Sequence, residues 1–181
     1  AWRGSVHATK TDKGISLCMG DPTDNALADN KYNDVTWTPT NALTGTDGKY
    51  VIEFDEYYDD AFTCKMIIDV NDSTSGKKTE FAVSDDGGVV GGNGKANFIS
   101  GKWNHAKITV DLNAKTAVFN INGTDVKTVN GIANTDIRSL YIKTDKSAGG
   151  NHGDITIDNF TVRKILMPTE PTFTSKITKF S

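Results

Sequence analysis

The feature that most constrains this chain is a hydrophobic period of two, carried by one segment after another. In Lys49 to Tyr58, KYVIEFDEYY, one face takes Tyr50, Ile52 and Phe54 while the other takes Val51, Glu53, Asp55 and Tyr57, which is how a half-buried strand reads. In AFTCKMIIDV, Phe62, Cys64, Met66, Ile68 and Val70 fall on one side and Thr63, Lys65 and Asp69 on the other, with Ile67 the apolar exception. The alternation recurs in GISLCMG, KTEFAVS, HAKITVDL, KTAVFNING, SLYIKT and DITIDNFTV. Between these segments stand Asp47-Gly48, Asp86-Gly87-Gly88, Gly91-Gly92, Asn93-Gly94, Asn122-Gly123 and Asn130-Gly131, pairs whose backbone freedom suits tight connections. No window carries a 3.6-residue apolar stripe, and TDNALADNKY makes one short helical turn at most. The expectation is an all-β, antiparallel β-sandwich.

A chain of 181 residues can bury one core and is short for two. Residues 1–167 read as the sandwich module. From 168 the character changes to PTEPTFTSKITKFS, so 168–181 is either a Pro/Thr linker-like tail to a further module or a final edge strand, Ser175 to Phe180. Net charge is -3, and the Lys and Arg residues are scattered among Asp and Glu. That distribution offers no stripe to neutralise a line of phosphates and excludes nucleic acid as a partner. The apolar stretches are strand-sized, so no membrane span is expected. The chain opens at Ala1 as an excised module or a mature secreted protein would. Cys18 and Cys64 either form one disulfide or serve as small core residues, and two cysteines are too few for a Cys-based zinc site.

Two segments carry a family likeness. GKWNHAKITVDLNAKTAVFNINGTDV resembles the Trp-led strand, turn, strand and Asn-Gly stretch of concanavalin A-like sandwiches. GDITIDNFTV resembles the closing strand of jelly-roll carbohydrate-binding modules, and the opening Trp2 followed by GISLCMGD is similar to the way several of them begin. The resemblance covers nearly all of residues 1–165. It implies a jelly-roll, concanavalin A-like fold and a secreted or cell-surface, bacterial, non-catalytic module. The implied partners are a polysaccharide or oligosaccharide and neighbouring modules of the same polypeptide. It further implies that Trp103 closes the core, and that Asp158, with Asp21 or Asp24, holds a structural calcium. Calcium takes six to eight oxygens, and the alternative for Asp158 is local hydrogen bonding at a bulge.

Sugar recognition uses flat aromatic faces against pyranose C–H groups, with amides and carboxylates on the hydroxyls, which directs attention to exposed aromatics. Trp37, at a loop–strand junction after Tyr32 and Asn33, is either a stacking platform or, with Val35, a core position of a short strand. Tyr57 and Tyr58 are adjacent and point to opposite faces, so one of them leaves the core. Tyr57 shares its face with Glu53 and Asp55, and Tyr141 alternates away from Leu140 and Ile142. His7, His105 and His152 sit in separate segments and suggest no metal triad.

The competing expectation is a glycoside hydrolase or polysaccharide lyase on the same sandwich. EFDEYY is similar to the Glu-x-Asp-x-(x)-Glu strand of laminarinase-like hydrolases at Glu53 and Asp55, but Tyr57 and Tyr58 stand where the final Glu would fall. The general acid is therefore missing, and a binding role is expected. A third class is a protein-interaction or adhesion module that presents an edge or a loop.

Overall fold

The alternating segments become strands in a computed structural model that describes residues 2–3, 6–19, 34–58, 65–84, 86–145 and 155–168. Outside these residues lie Asp21, Asp24, Tyr32, Asn33, Cys64, His152, the TDNALADNKY segment and the tail from 169; the side chains of Trp2, His7 and Cys18 are likewise not described. The strands are β1 (Trp2–Arg3), β2 (Val6–Thr11), β3 (Gly14–Met19), β4 (Asp34–Trp37), β5 (Gly48–Tyr58), β6 (Lys65–Asn71), β7 (Lys78–Val83), β8 (Trp103–Asp111), β9 (Thr116–Ile121), β10 (Thr124–Asn130), β11 (Ser139–Asp145) and β12 (Ile155–Leu166).

They form two antiparallel sheets. One has the order β1-β4-β11-β6-β7 and the other β10-β9-β8-β5-β12-β3-β2. The fold is an all-β sandwich, as the period of two requires. The sequence reading passed over β2, VHATKT, which has only Val6 and Ala8 as apolar residues, and also β10. Its register slips between Asp125 and Lys127, so Val126 and Val129 fall out of step and the alternation is lost.

The apolar face of each strand supplies the core. Ile52 and Phe54 of β5, Ile108 of β8 and Phe119 of β9 meet Ile68 of β6 and Phe81 of β7, all at 0% exposure. Phe81 and Phe119 touch between the sheets, with ring centroids 5.1 Å apart. Burying each such side chain contributes roughly 1.5–3 kcal/mol.

Two local features position the outer face of the larger sheet. Asn122 and Gly123 join β9 to β10 with φ 51° and 87°, the left-handed pair a two-residue hairpin turn requires. The Asn122 Oδ1 also accepts the backbone N–H of His105 at 2.8 Å. In β12 the register against β5 shifts between Asp158 and Thr161, with Asn159 at φ 50°. This bulge turns the Asn159 amide toward β5.

Tyr58, a candidate ligand contact, is corrected by the fold. It continues the inward parity of Tyr50, Ile52 and Phe54, is only 6% exposed, and its hydroxyl donates to the Phe98 carbonyl at 3.1 Å. Gly87 makes room for this arrangement. At φ 78° a side chain would be strained, and a Cβ there would collide with the Phe98 carbonyl and crowd the Tyr58 hydroxyl. Gly87→Ala is therefore expected to cost about 2 kcal/mol in urea denaturation. An unchanged midpoint would show that this contact does not hold the loop.

Candidate functional site

The outer face of the seven-stranded sheet concentrates polar and aromatic side chains around the middle of β5. Glu53, Asp55 and Tyr57 point outward because Ile52, Phe54 and Glu56 point inward. On β8 the same parity sends Trp103, His105 and Lys107 outward and Asn104, Ala106 and Ile108 inward. Register then fixes neighbours: Tyr57 lies opposite Trp103, Asp55 opposite His105 and Glu53 opposite Lys107.

Tyr57 and Trp103 form a tilted aromatic pair, with centroids 5.6 Å apart and planes at 54°. Trp103 was expected to close the core, and the structure corrects this: it is half-buried on the outside. Its place is fixed from the β2–β3 turn. The indole N–H donates to Asp12 Oδ1 at 2.8 Å, and Lys13 Nζ stands 5.0 Å from the ring centroid, within cation–π range.

Beside the rings lies a network of opposite charges. The His105 ring nitrogens sit between two carboxylates, Nδ1 at 2.9 Å from Asp55 Oδ1 and Nε2 at 3.4 Å from Glu53 Oε1. Asp55 Oδ2 also accepts from Lys13 Nζ at 2.9 Å and from Asn159 Nδ2 at 2.7 Å. Glu53 Oε2 accepts from Arg163 Nε and Nη2 at 3.1 and 3.0 Å. Partial burial pushes both carboxyls up, but their partners outweigh it. His105, Lys13 and Asn159 hold Asp55 below its usual range, and Arg163 and His105 do the same for Glu53. The hydrogen bond to Asp55 in turn raises Lys13. Both carboxylates are therefore ionised at neutral pH.

Of the residues singled out in the sequence, Tyr57, Glu53 and Asp55 are brought together here. Trp37 is elsewhere. It faces the space between the sheets, packed on Phe160 with centroids 5.8 Å apart, in a cleft of about 400 Å3 that Val35, Leu140, Ile142 and Ile157 also line. Tyr141 is half-buried on the outer face of the other sheet, opposite Asp69 and Thr36 in register, and does not join the patch. Asp158 bonds locally at the bulge: Oδ2 accepts from Ser16 Oγ and Oδ1 from the Asn159 N–H, both at 2.6 Å. Among the described residues no group of three or more His, Cys, Asp or Glu side chains is arranged to hold a metal ion. Asp21 and Asp24, expected to hold calcium together with Asp158, lie outside the described residues.

The sequence reading did not assign Trp103, Lys13, His105, Asn159 and Arg163 to the patch. Strand parity alone places Trp103 and His105 outside with Lys107. Lys13 and Asn159 reach Asp55 across 42 and 104 positions, a proximity that only the sheet order reveals.

Two antiparallel sheets of this kind, joined across one core, define a jelly-roll sandwich. Comparison with solved structures agrees. A sialidase superposes with TM-score 0.58 at 17% identity over 82% of this chain and 15% of its own. An alginate lyase of polysaccharide lyase family 7 gives 0.53 at 16% identity over 90% and 84%. A botulinum neurotoxin type C structure, reported as depending on interaction with two ganglioside molecules for cell entry, gives 0.52 at 15% identity over 90% and 42%. The chain thus spans a small part of the sialidase and less than half of the neurotoxin chain. No protein-family model matches, and no curated protein matches by sequence. At these identities the likeness shows the fold.

Proposed function

We propose that this is a non-catalytic carbohydrate-binding module of a longer secreted or cell-surface bacterial protein. It takes a polysaccharide or oligosaccharide on the outer face of the seven-stranded sheet. The observation that carries the reading is the half-exposed Tyr57–Trp103 pair, held from the β2–β3 turn and bordered by Asp55, His105, Glu53 and Asn159. Sugar C–H groups stack on the rings while hydroxyls exchange hydrogen bonds with the imidazole, amide and carboxylates, and each ring contributes roughly 0.5–1.5 kcal/mol. An alginate lyase, and a neurotoxin whose cell entry is dependent upon interaction with two ganglioside molecules, both contain this fold. Fold does not dictate function, so the weight rests on the patch itself.

Support for binding over cleavage comes from the carboxyls. Glycoside hydrolysis needs one carboxylic acid that keeps its proton and one carboxylate, whereas Glu53 and Asp55 are both held ionised. Glu56 does keep its proton, but it is 1% exposed on the inward side of β5.

Affinity gel electrophoresis across soluble polysaccharides tests the proposal. Trp103→Ala and Tyr57→Ala should each weaken retention about two- to tenfold, given the worth of a stacked ring, while Trp37→Ala should leave it unchanged. Loss with Trp37→Ala alone would move the site to the cleft. Release of reducing ends from a retained polysaccharide would replace the binding reading with an enzymatic one.

A further inference from the structure

The aromatic pair stands where one ladder of the sheet runs out. β5 continues beside β8 as far as Tyr57 opposite Trp103, but the β8–β9 ladder ends at Ala106 opposite Ile121. Trp103, Asn104 and His105 therefore lie beyond the last rung on their β9 side. A strand end laddered on one side opens more readily than the strand middle. Two asparagine side chains supply what the ladder lacks. Asn104 points inward behind the rings and is 1% exposed. Its Oδ1 accepts the Ile99 N–H at 2.9 Å and the Asn122 Nδ2 at 3.1 Å. Its Nδ2 faces the carbonyls of Ile99 and Lys102 at 3.0 and 3.1 Å. The turn that leads into Trp103 is thereby closed onto β8. Asn122, in the β9–β10 turn, receives the His105 N–H on its Oδ1 at 2.8 Å and donates its own N–H to the His105 carbonyl at 2.9 Å. Side chain and backbone of one asparagine thus reproduce the two-bond exchange that a paired β9 residue would have made.

Resting on the carbohydrate reading above, we propose that Asn104 and Asn122 are positioning residues for glycan recognition: acting through Trp103 and His105, they set the indole and the imidazole in place before the sugar arrives. Asn104 is out of a ligand's reach, and both ends of the Asn122 amide are engaged by His105 and Asn104. A ring already held loses little freedom on binding, whereas a frayed strand end must be ordered by the ligand itself.

Asn122→Gly separates this role from folding. Glycine adopts the left-handed φ of 51° found there at no steric cost, so the turn survives and the amide alone is removed. Asn104→Ala is the second variant, and where it does not fold Asn122→Gly decides. In near-ultraviolet circular dichroism, the part of the spectrum that Trp103→Phe removes reports the fixed surroundings of that indole. This part should shrink in both variants while the far-ultraviolet spectrum stays unchanged. Affinity gels then carry mixed-linkage glucan, xylan, galactan, amylose, polygalacturonate or alginate. Retention by whichever of these holds the wild type should weaken about two- to tenfold in each variant, the worth of ordering a side chain in advance. The same substitution made on top of Trp103→Ala should cost less than it does in the wild type, because it acts in part through the ring. A folded Asn122→Gly protein with the full Trp103 signal would overturn the positioning role. Unchanged retention of that variant, where Trp103→Ala does weaken retention, would also overturn it and leave the carbohydrate reading standing. A wild type retained by none of the six polysaccharides, or a Trp103→Ala protein retained as well as the wild type, would overturn both.

Discussion

Replacing Glu56 by Gln is expected to stabilise the protein by about 3 kcal/mol at pH 7 and by about 5 kcal/mol near pH 9, with little change at pH 4. Glu56 follows the inward parity of β5 and is 1% exposed. Burial pushes its carboxyl from 4.5 up to about 8, and the Asn104 amide, donating to Oε2 at 3.2 Å, pulls back only part of the way. In the unfolded chain the group ionises near its ordinary value, so the folded state binds a proton that the unfolded state releases. Stability from this group is therefore fully present below about pH 4.5 and is lost as pH rises through 8. Gln keeps the acceptor for Asn104 and has no proton to lose. Urea denaturation from pH 4 to 9 should show a falling wild-type curve and a nearly level Glu56→Gln curve; parallel curves would mean that Glu56 is not the titrating group.

Asp72 should behave in the opposite sense, and its loss should be nearly as large. Its carboxylate ties the β6–β7 turn to the loop ahead of β11. Oδ1 accepts the Thr74 N–H at 2.6 Å, and Oδ2 accepts the N–H groups of Thr135 and Asp136 and the Thr135 hydroxyl, at 2.5, 3.2 and 2.9 Å. Around this clamp Asn134 donates to the Val70 carbonyl and accepts from Thr79. Desolvation raises the Asp72 carboxyl, but the backbone donors of Thr135 and Thr74 outweigh it and hold it far below the usual carboxylate range. Asp72→Ala leaves those donors without their acceptor, at a cost on the order of 3 kcal/mol at neutral pH. A depressed carboxyl stabilises above its unfolded pKa and loses that contribution as pH falls through the folded one. The gap between wild type and variant should accordingly narrow in strong acid. An equal gap at pH 7 and pH 2 would show that packing, not the ionised carboxylate, carries the effect.

Parity along the strands was the information the sequence carried most openly. It separated Tyr57 from Tyr58, put Glu53 and Asp55 on one face, and assigned Ile52, Phe54, Ile68 and Val70 to the interior, all of which the fold bears out. Where parity was set aside, the reading failed. Trp103 has the parity of His105, Lys107 and Thr109, so alternation placed it outside, while family likeness placed it in the core. Bulges defeat parity in another way: the slip in β10 erased its pattern, and the Asp158–Asn159 bulge brought an amide to Asp55 that no local spacing announces. Trp37 was left between two readings because it belongs to neither. It lies at the end of a short strand where the sheets part, packed against Phe160 yet lining an open cleft.

The long antiparallel pairing of β12 with β5, from Ile155 opposite Tyr58 to Leu166 opposite Gly48, also has a mechanical meaning. A pull on the chain beyond β12 acts along the strand axis, across the direction of its ladder hydrogen bonds. Those bonds are strained together in shear and cannot open one at a time like a zipper. Asp55, Asn159 and Arg163 ride on these same two strands, so a module tethered from that end would keep its outer face in register under tension until the pair itself gave way.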